Sequence, residues 1–290
     1  MATDIRKVYP DMFEETYSSL LRDLDPDRPK EEWRRIFEPG WPSPEEHVGY
    51  GLFAGNQMVG FAGLLFAEMD IAGRPERLCN FSSWVAKEEY RRDSISLLLP
   101  LRSLGDYTVT NMSATPQVQE IFRRLGFAVL DEYTTVVRPS LRFGRWGEGG
   151  RFEVRFESKE IERALGGGLG KIHADHARYG GHMVVESDEG ISYCMYTLRR
   201  RRRLRTALFH YISNPDLFVR GIRAVRARLL RRHRAVLVEW DSRLLVGREI
   251  PGSFRIHRSQ LPPPRLFKSE SLGKEAVPNL YSELILLNLE

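Results

Sequence analysis

The amino-acid sequence predicts a mixed α/β fold, with both parallel and antiparallel strand pairing, arranged as two domains in tandem. Strand-like and helix-like patterns alternate along the 290 residues, and a glycine-rich segment interrupts them near the middle. The order of elements then partly recurs, without evident sequence identity. We therefore expect a first domain over residues 1–140, a linker over 141–150 and a second domain over 151–290.

The first domain is expected to begin with a strand, two helices and three further strands. IRKVYP is typical of a strand, whereas DMFEETYSSLLRDL and KEEWRRIF have apolar residues at helical spacing. Turn residues at Gly55-Asn56 and Ala72-Gly73 then separate three apolar or alternating runs. These runs are HVGYGLFA, QMVGFAGLLFAEM and RLCNFSSWVA. This spacing predicts an antiparallel three-stranded meander.

Two more helices and three strands are expected to complete the first domain. SISLLLPLRSL predicts a helix, although Pro100 removes one hydrogen bond and usually kinks a helix. The strand YTVTNMSA comes next. Thr115-Pro116 then begins a helix over PQVQEIFRRL that ends at Gly126. The strand-like runs FAVLDEY and TTVVRP close the domain.

The second half repeats much of this order. RFEVRFE predicts a strand, SKEIERALGGGLGKIHADHARYG a glycine-interrupted helix, and GHMVVES, GISYCMYTL and RLRTALFHYIS three strands. Asn214-Pro215 begins a long helix, AVLVEW is typical of a buried strand, and LYSELILLNL predicts a final strand. LVGREIPGSFRIHRSQLPPPRL has the composition of a loop where the first half has its last helix.

The composition and the N-terminal residues indicate the cellular compartment. No apolar run approaches the roughly 20 residues that span a bilayer, and MATDIRKVYP lacks the pattern of a secretory signal. Cys79 and Cys194 lie in apolar strand-like runs, which favours buried free thiols over metal ligands or nucleophiles. These features predict a cytoplasmic protein with no membrane partner.

The net charge of +5 is unevenly distributed. Residues 1–145 carry 18 basic and 22 acidic side chains, whereas residues 146–290 carry 26 basic and 17 acidic ones. Much of the excess lies between Arg199 and Arg234. Such a surface can hold phosphates, nucleic acid or an acidic partner, and it is equally typical of a solvated helix face. A nucleic-acid partner contacting Arg199 to Arg205 therefore stays an alternative, although no aromatic residues interleave these arginines.

VAKEEYRRDSISLLL, residues 85–99, places arginines, an aspartate and two serines where a strand gives way to a helix. A helix N-terminus presents unpaired N–H groups and partial positive charge, so it can hold an anion. Serines and flanking arginines add hydrogen bonds to phosphate oxygens. The segment suits a pyrophosphate, and it also suits an ordinary helix capped by Asp93 or Ser94.

The element order around this turn resembles that of the GNAT acyltransferase superfamily. In that family the turn usually reads Arg or Gln, two residues, Gly, one residue, and Gly or Ala. Arg91 takes the first place, and Ser94 and Ser96 take the two glycine places. IFRRLGF, residues 121–127, is similar to the family's later helix ending in Leu-Gly-Phe. The resemblance covers residues 4–138, and over the second half it rests on element order alone.

The resemblance implies binding of acetyl-CoA or a longer acyl-CoA, with an amine acceptor and without a metal. The backbone N–H of Val85 is implied to polarise the thioester carbonyl, and the turn to hold the pyrophosphate. The implied turn residues are Arg91, Arg92, Asp93, Ser94, Ile95 and Ser96. Phe122 stands where many members have a tyrosine that protonates the leaving thiolate, and Thr115 replaces a frequent asparagine. The usual general acid is therefore missing.

Acid and base candidates must come from elsewhere in the chain. Tyr281 and Glu283 share one face of the predicted C-terminal strand, so they are our first choice for an acid and a base. Glu68 and Asp70 end a strand, where a carboxylate is usually just solvated.

A group of histidines offers a further candidate base. His173 and His176 lie three apart on a helical face near Asp175 and His182, which makes His176 a possible base or acceptor-pocket residue. Because the spacing matches no known metal site, we predict no metal.

The sequence thus favours a tandem GNAT-like protein that transfers an acyl group from acyl-CoA to the amine of a small molecule. In this hypothesis the second domain is a degenerate GNAT-like domain that shapes the acceptor site. Two alternatives stay open, a catalytically silent GNAT-like binding module and an aminoacyl-tRNA-dependent transferase. The acceptor, the acyl length and the oligomeric state are not specified by the sequence.

Overall fold

A computed structural model describes residues 3–138, 152–201, 203–258 and 264–289, which divide into two compact units. Unit 1 contains the described residues of 1–130, 263–277 and 281–289, and unit 2 those of 131–262 and 278–280. Each unit contains a mixed seven-stranded sheet, which confirms the predicted fold class. The expected linker 141–150 lies outside the described residues.

The first half of unit 1 follows the expected order. Its strands are β1 (Thr3–Val8), β2 (Gly49–Ala54), β3 (Gln57–Ile71) and β4 (Arg74–Ala86). A helical stretch over 10–24 comprises a 3₁₀ turn (Pro10–Met12), α1 (Phe13–Thr16), a π turn (Tyr17–Leu21) and α2 (Arg22–Leu24). Helix α3 covers Lys30–Phe37 and buries Trp33, Ile36 and Phe37. The antiparallel meander over β2, β3 and β4 is confirmed.

The helix predicted after β4 is a 3₁₀-helix over its whole length, Asp93–Ser103, preceded by a 3₁₀ turn at Glu88–Tyr90. Two local causes favour this geometry. Pro100 cannot donate the i to i−4 hydrogen bond of an α-helix. In addition, the hydroxyls of Ser94, Ser96 and Ser103 each donate to the carbonyl three residues earlier.

Unit 1 continues with β5 (Tyr107–Asn111), α4 (Pro116–Arg124) and β6 (Ala128–Asp131). The Thr115 hydroxyl caps α4 by accepting from the backbone N–H of Val118 at 3.4 Å. The sheet order is β1-β2-β3-β4-β5-β14-β6, in which β14 is Arg265–Lys268. Apolar residues of β4, β5, the 3₁₀-helix and α4 form the main core, including Phe81, Leu97 and Phe122.

Unit 2 has the strands β7 (Tyr133–Val137), β8 (Glu153–Arg155), β9 (Gly181–Ser187), β10 (Gly190–Arg201), β11 (Leu204–Ile212), β12 (Leu237–Asp241) and β13 (Ser253–His257). Its helices are α5 (Ser158–Ala164), α6 (Gly167–His176) and α7 (Pro215–His233). The sheet order is β13-β7-β12-β11-β10-β9-β8. Helix α7 packs on this sheet through residues such as Phe218, Val225 and Leu229.

Several boundaries differ from the expected ones. The segment read as a loop contains β13 and β14, and each strand pairs within a different sheet. Residues 264–277 and 281–289, expected in the second domain, lie in unit 1 because β14 pairs with β5. The predicted C-terminal strand is instead a short helix, α8 (Glu283–Leu286), preceded by Tyr281 at φ +57°. These pairings depend on partners far apart in sequence, which a local pattern does not specify.

Candidate functional site at the ends of β4 and β5

Two parallel strands part near the centre of the unit 1 sheet. Strands β4 and β5 pair from Arg77 opposite Tyr107 as far as Phe81 opposite Asn111. Beyond Phe81, β4 continues to Ala86 and pairs with β3 alone, with an irregular register around Ser82 and Ser83 at φ +52°. Among the described residues no strand pairs with the second edge of β4 here, but the Lys87 N–H bond to the Val59 carbonyl sets a register in which the Val85 N–H and C=O face Phe61 of β3 rather than this edge.

Glu283 lies at this parting point with only 1% of its surface exposed. Its backbone N–H donates to Asn80 Oδ1 at 3.0 Å, and its carboxylate accepts from Ser113 Oγ at 2.6 Å. Further bonds to the carboxylate come from the Ser82 side chain and from backbone groups at Met112 and Ser113. Asn80 and Ser82 belong to β4, and Ser113 follows β5. The carboxylate is thus held between the diverging ends of both strands.

Burial determines the proton affinity of this carboxylate. Removal from water raises the pKa of Glu283 above its ordinary value, and the hydrogen bonds from Ser113 and Ser82 oppose that rise. A carboxylate with a raised pKa is a stronger proton acceptor than a solvated one, while its hydrogen bonds favour the ionised form. The carboxylate is therefore more basic than a solvated one, at a position that the structure closes to solvent.

Tyr281 has a different environment from Glu283, although the sequence placed both on one strand face. Its ring packs edge-on against Trp41 with 5.2 Å between centroids, and 2% of its surface is exposed. Both residues belong to unit 1 rather than to the second domain. The structure thus relocates the proposed pair to the unit in which the acyl-CoA site was expected.

The proposed phosphate turn is present but partly occupied by its own contacts. Ser94 Oγ donates to Arg91 O at 2.8 Å and Ser96 Oγ to Asp93 O at 2.5 Å, so neither hydroxyl proton points outward. Arg91 forms an exposed ion pair with Glu88 at 2.9 Å. Arg92 and Ile95 are exposed. Backbone N–H groups and the two guanidinium groups are therefore the donors this turn can offer an anion.

Two other predicted site residues lie inside the core of their unit. Phe122 has no exposed surface and packs against Phe81 at 4.9 Å and Phe127 at 4.8 Å between ring centroids. It serves the packing of α4 rather than a ligand contact. His176 is also fully buried, at the end of α6 in unit 2. Like Glu283 it is closed to solvent, and its Nδ1 is engaged with the Ile172 carbonyl.

The histidines of unit 2 form a buried hydrogen-bonded group. His176 Nδ1 lies 2.9 Å from the Ile172 carbonyl, and His182 Nε2 lies 3.1 Å from the His176 carbonyl. Because a carbonyl only accepts, both nitrogens carry hydrogen, and His182 Nδ1 accepts from the Tyr193 hydroxyl at 2.8 Å. Burial lowers the pKa of His176 and of His182 to about 4. The group is uncharged at neutral pH.

The neighbours of these histidines do not form a metal site. The His173 ring packs edge-on against His182, and Asp175 is bonded to Lys171 at 2.8 Å. Within the described part of the chain, no three histidine, cysteine or acidic side chains are grouped to hold a metal ion.

The arginine run at the β10–β11 hairpin is partly neutralised. Arg199 and Arg201 both bind the fully buried Glu239, the latter at 2.9 Å. Arg205 donates to the His233 carbonyl at 3.1 Å. Arg200 and Arg203 are exposed, and Arg202 lies outside the described residues. Three arginines proposed for nucleic acid, Arg199, Arg201 and Arg205, thus have structural partners.

Sequence reasoning missed three residues that hold Glu283, namely Asn80, Ser82 and Ser113. A signal was present in CNFSSW, since Asn80 and Ser82 lie two apart in an otherwise apolar strand and therefore on one face. Their bonding to a residue about 200 positions away depends on the tertiary fold.

In the described residues, no helix is long and apolar enough to cross a bilayer.

Comparisons with solved structures confirm the GNAT-like fold of the chain. An Enterococcus faecalis V583 protein, described as a conserved protein of unknown function and probable N-acyltransferase, aligns with a TM-score of 0.58 at 12% identity. The alignment covers 94% of this chain and 74% of that one. A GCN5-related N-acetyltransferase from Anabaena variabilis gives 0.58 at 12% identity, covering 92% and 72%. No protein-family model matches the sequence, and no curated protein matches it.

A third solved structure is similar over the same extent. The GCN5-related N-acetyltransferase from Kribbella flavida aligns with a TM-score of 0.53 at 15% identity, covering 92% of this chain and 70% of that one. Identities this low establish a shared fold, and the chemistry has to be argued from the site itself.

Proposed function

We propose that the protein is an acyl-CoA-dependent N-acyltransferase that moves an acetyl or longer acyl group to the amine of a small molecule. The observation that carries the proposal is the Glu283 carboxylate at the unpaired edge of β4. A carboxylate at this position is suited to accept a proton beside a backbone that can align an extended thioester arm. The degenerate unit 2 is proposed to shape the acceptor site.

Acyl-CoA would be held by two features of unit 1. The pantetheine arm would add to the free edge of β4, where an outward backbone N–H next to Val85 would polarise the thioester carbonyl. The pyrophosphate would lie at the start of the 3₁₀-helix, on the backbone N–H groups near Ser94 and on Arg91 and Arg92. Ser94 and Ser96 offer only oxygen lone pairs there, because their protons are already donated.

In the proposed reaction Glu283 accepts a proton from the acceptor ammonium, and the neutral amine attacks the thioester carbon. The C–N bond forms, the C–S bond breaks and the CoA thiolate leaves. Since a thiolate is a good leaving group, most of the catalysis comes from positioning. Tyr281, two residues before Glu283, is the proposed donor of the proton that the thiolate takes up, and the second proton that the nitrogen loses as the amide forms restores the Tyr281 hydroxyl. No role is given to His176.

The experiment is an acyl-transfer assay that follows release of free thiol from acetyl-CoA and from a longer acyl-CoA. We expect saturable, amine-dependent thiol release with at least one of a panel of amino acids, amino sugars and polyamines. Product mass must increase by one acyl group on the amine nitrogen. Acyl-CoA binding without amine-dependent release from any panel member contradicts the proposal and favours the silent binding module.

The silent module is the second candidate, and particular observations favour it. The serine protons of the turn are occupied, Glu283 is fully buried, and Phe122 fills the core where many GNAT members have a catalytic tyrosine. In that case Glu283 fixes the C-terminal segment to β4 and β5 and takes no part in chemistry. Both functions are compatible with the same fold, and amine-dependent turnover distinguishes them.

A further inference from the structure

Unit 2 contains a cleft to which the proposed function assigns no role. In unit 1 the chain between β5 and β6 forms α4, which packs Phe122 into the core. In unit 2 the chain between β12 and β13 forms only a 3₁₀ turn, Ser242–Leu245, followed by a loop. Beside this stretch lies a cleft of about 570 Å³, a size typical of small-molecule sites.

The cleft is lined mainly by polar groups. Its lining residues from the strands, the turn and the loop are Thr135, Trp240, Ser242, Leu245, Arg248, Glu249, Ile250, Ser253, Phe254 and Arg255. Trp240, Leu245 and Ile250 belong to the core of the unit, and each exposes at most 5% of its surface. Thr135 and Ser242 share a hydroxyl hydrogen bond of 2.7 Å, which leaves one of their two protons for a ligand. Such a lining suits a small polar ligand.

The charged residues of the cleft differ in whether they already have an ion-pair partner. Arg248 is bound to both carboxylate oxygens of Asp216, at 2.7 and 2.9 Å, and to the Val246 carbonyl at 3.0 Å. Glu249 and Arg255 are exposed, and neither forms an ion pair among the described residues. The rim therefore offers one free anion and one free cation, beside a guanidinium whose charge is already balanced.

From these features the geometry points to binding of a small zwitterion, a free amino acid or a short peptide with free termini. Glu249 would bind the ammonium group and Arg255 the carboxylate. Charge-assisted hydrogen bonds at both ends would select a molecule that carries both charges. This site needs no acyl-CoA, so its test is independent of the proposed reaction.

The test is a calorimetric titration of the full chain with L-phenylalanine and with the dipeptide Phe-Leu. Two capped dipeptides serve as matched probes, acetyl-Phe-Leu without the ammonium group and Phe-Leu amide without the carboxylate. We expect one site per chain for at least one uncapped probe and affinity about 10-fold or more weaker for each capped dipeptide.

Two variants assign the charges. Arg255→Gln should weaken binding of the uncapped probe and abolish its preference over the amide, whereas Glu249→Gln should abolish the preference over the acetylated form. Arg203→Gln, an exposed arginine of the β10–β11 turn, is the control and should change neither. Absence of binding by both uncapped probes, equal affinity for capped and uncapped forms, or preferences unchanged in both cleft variants would overturn the inference.

Discussion

Glu283→Gln is expected to lower kcat/KM for acyl transfer about 10²-fold or more, the usual contribution of a general base. Glutamine has nearly the same shape, and its amide oxygen can still accept from the Ser113 hydroxyl that lies 2.6 Å from the carboxylate. What it cannot do is accept a proton from the acceptor amine. The measurement is thiol release at varied amine concentration, with acyl-CoA affinity determined separately and expected to be unchanged.

The pH profile distinguishes a catalytic from a structural carboxylate. Burial raises the pKa of Glu283, and the base must be ionised, so the wild-type rate should rise with pH through a limb above the ordinary carboxyl range. Glu283→Gln should lack this limb. Glu270→Gln, an exposed carboxylate change in the same unit, is the control. A variant that retains the wild-type rate and profile but unfolds at lower urea concentration would make Glu283 structural only.

Acidification from pH 7.5 to pH 5 is expected to lower the free energy of unfolding by about 2 kcal/mol for each of His176 and His182. The folded pKa of both is about 4, below the ordinary 6.5 expected in the unfolded chain. The unfolded state therefore binds protons more readily, so stability is full above pH 6.5 and is lost as the pH falls toward 4. Urea unfolding across this pH range measures the effect.

Variants test the assignment to the buried histidines. His176→Leu should reduce the pH-dependent loss by about 2 kcal/mol, because leucine is apolar and cannot be protonated. Its stability at pH 7.5 can differ from wild type, so the slope against pH is the relevant quantity. His257→Gln changes an exposed histidine of β13 and should leave the slope unchanged. Equal slopes in the wild type and His176→Leu would contradict the explanation.

Local sequence patterns predicted most helices and strands, because capping residues and spacing act over a few residues. Thr115 and Asn214 cap their helices as expected, the latter by accepting from Leu217 N–H at 3.1 Å. The geometry of the helix over Asp93–Ser103 was not predicted, since the serine hydroxyl bonds that favour a 3₁₀-helix compete closely with an α-helix. β13 and β14 were missed because they are short strands between proline and glycine residues.

The candidate site was harder to predict than the fold. Glu283 was chosen for an alternating strand pattern that the structure does not contain, yet its carboxylate lies where β4 and β5 part. The reason for its position is tertiary, since β14 joins the unit 1 sheet and the segment over 281–289 lies in the same unit. Phe122 and His176 were proposed as site residues from their positions in the sequence. Both are fully buried, which those positions did not predict.

The proposed function depends first on acyl-CoA binding by unit 1, which calorimetric titration with acetyl-CoA and a longer acyl-CoA measures directly. We predict saturable binding at one site per chain, weakened about 10-fold or more by Arg91→Ala through loss of a charge-assisted hydrogen bond. Arg102→Ala, near the opposite end of the same 3₁₀-helix, is the matched control and should bind as the wild type does. No binding of either acyl-CoA by the wild-type protein would contradict the proposed function.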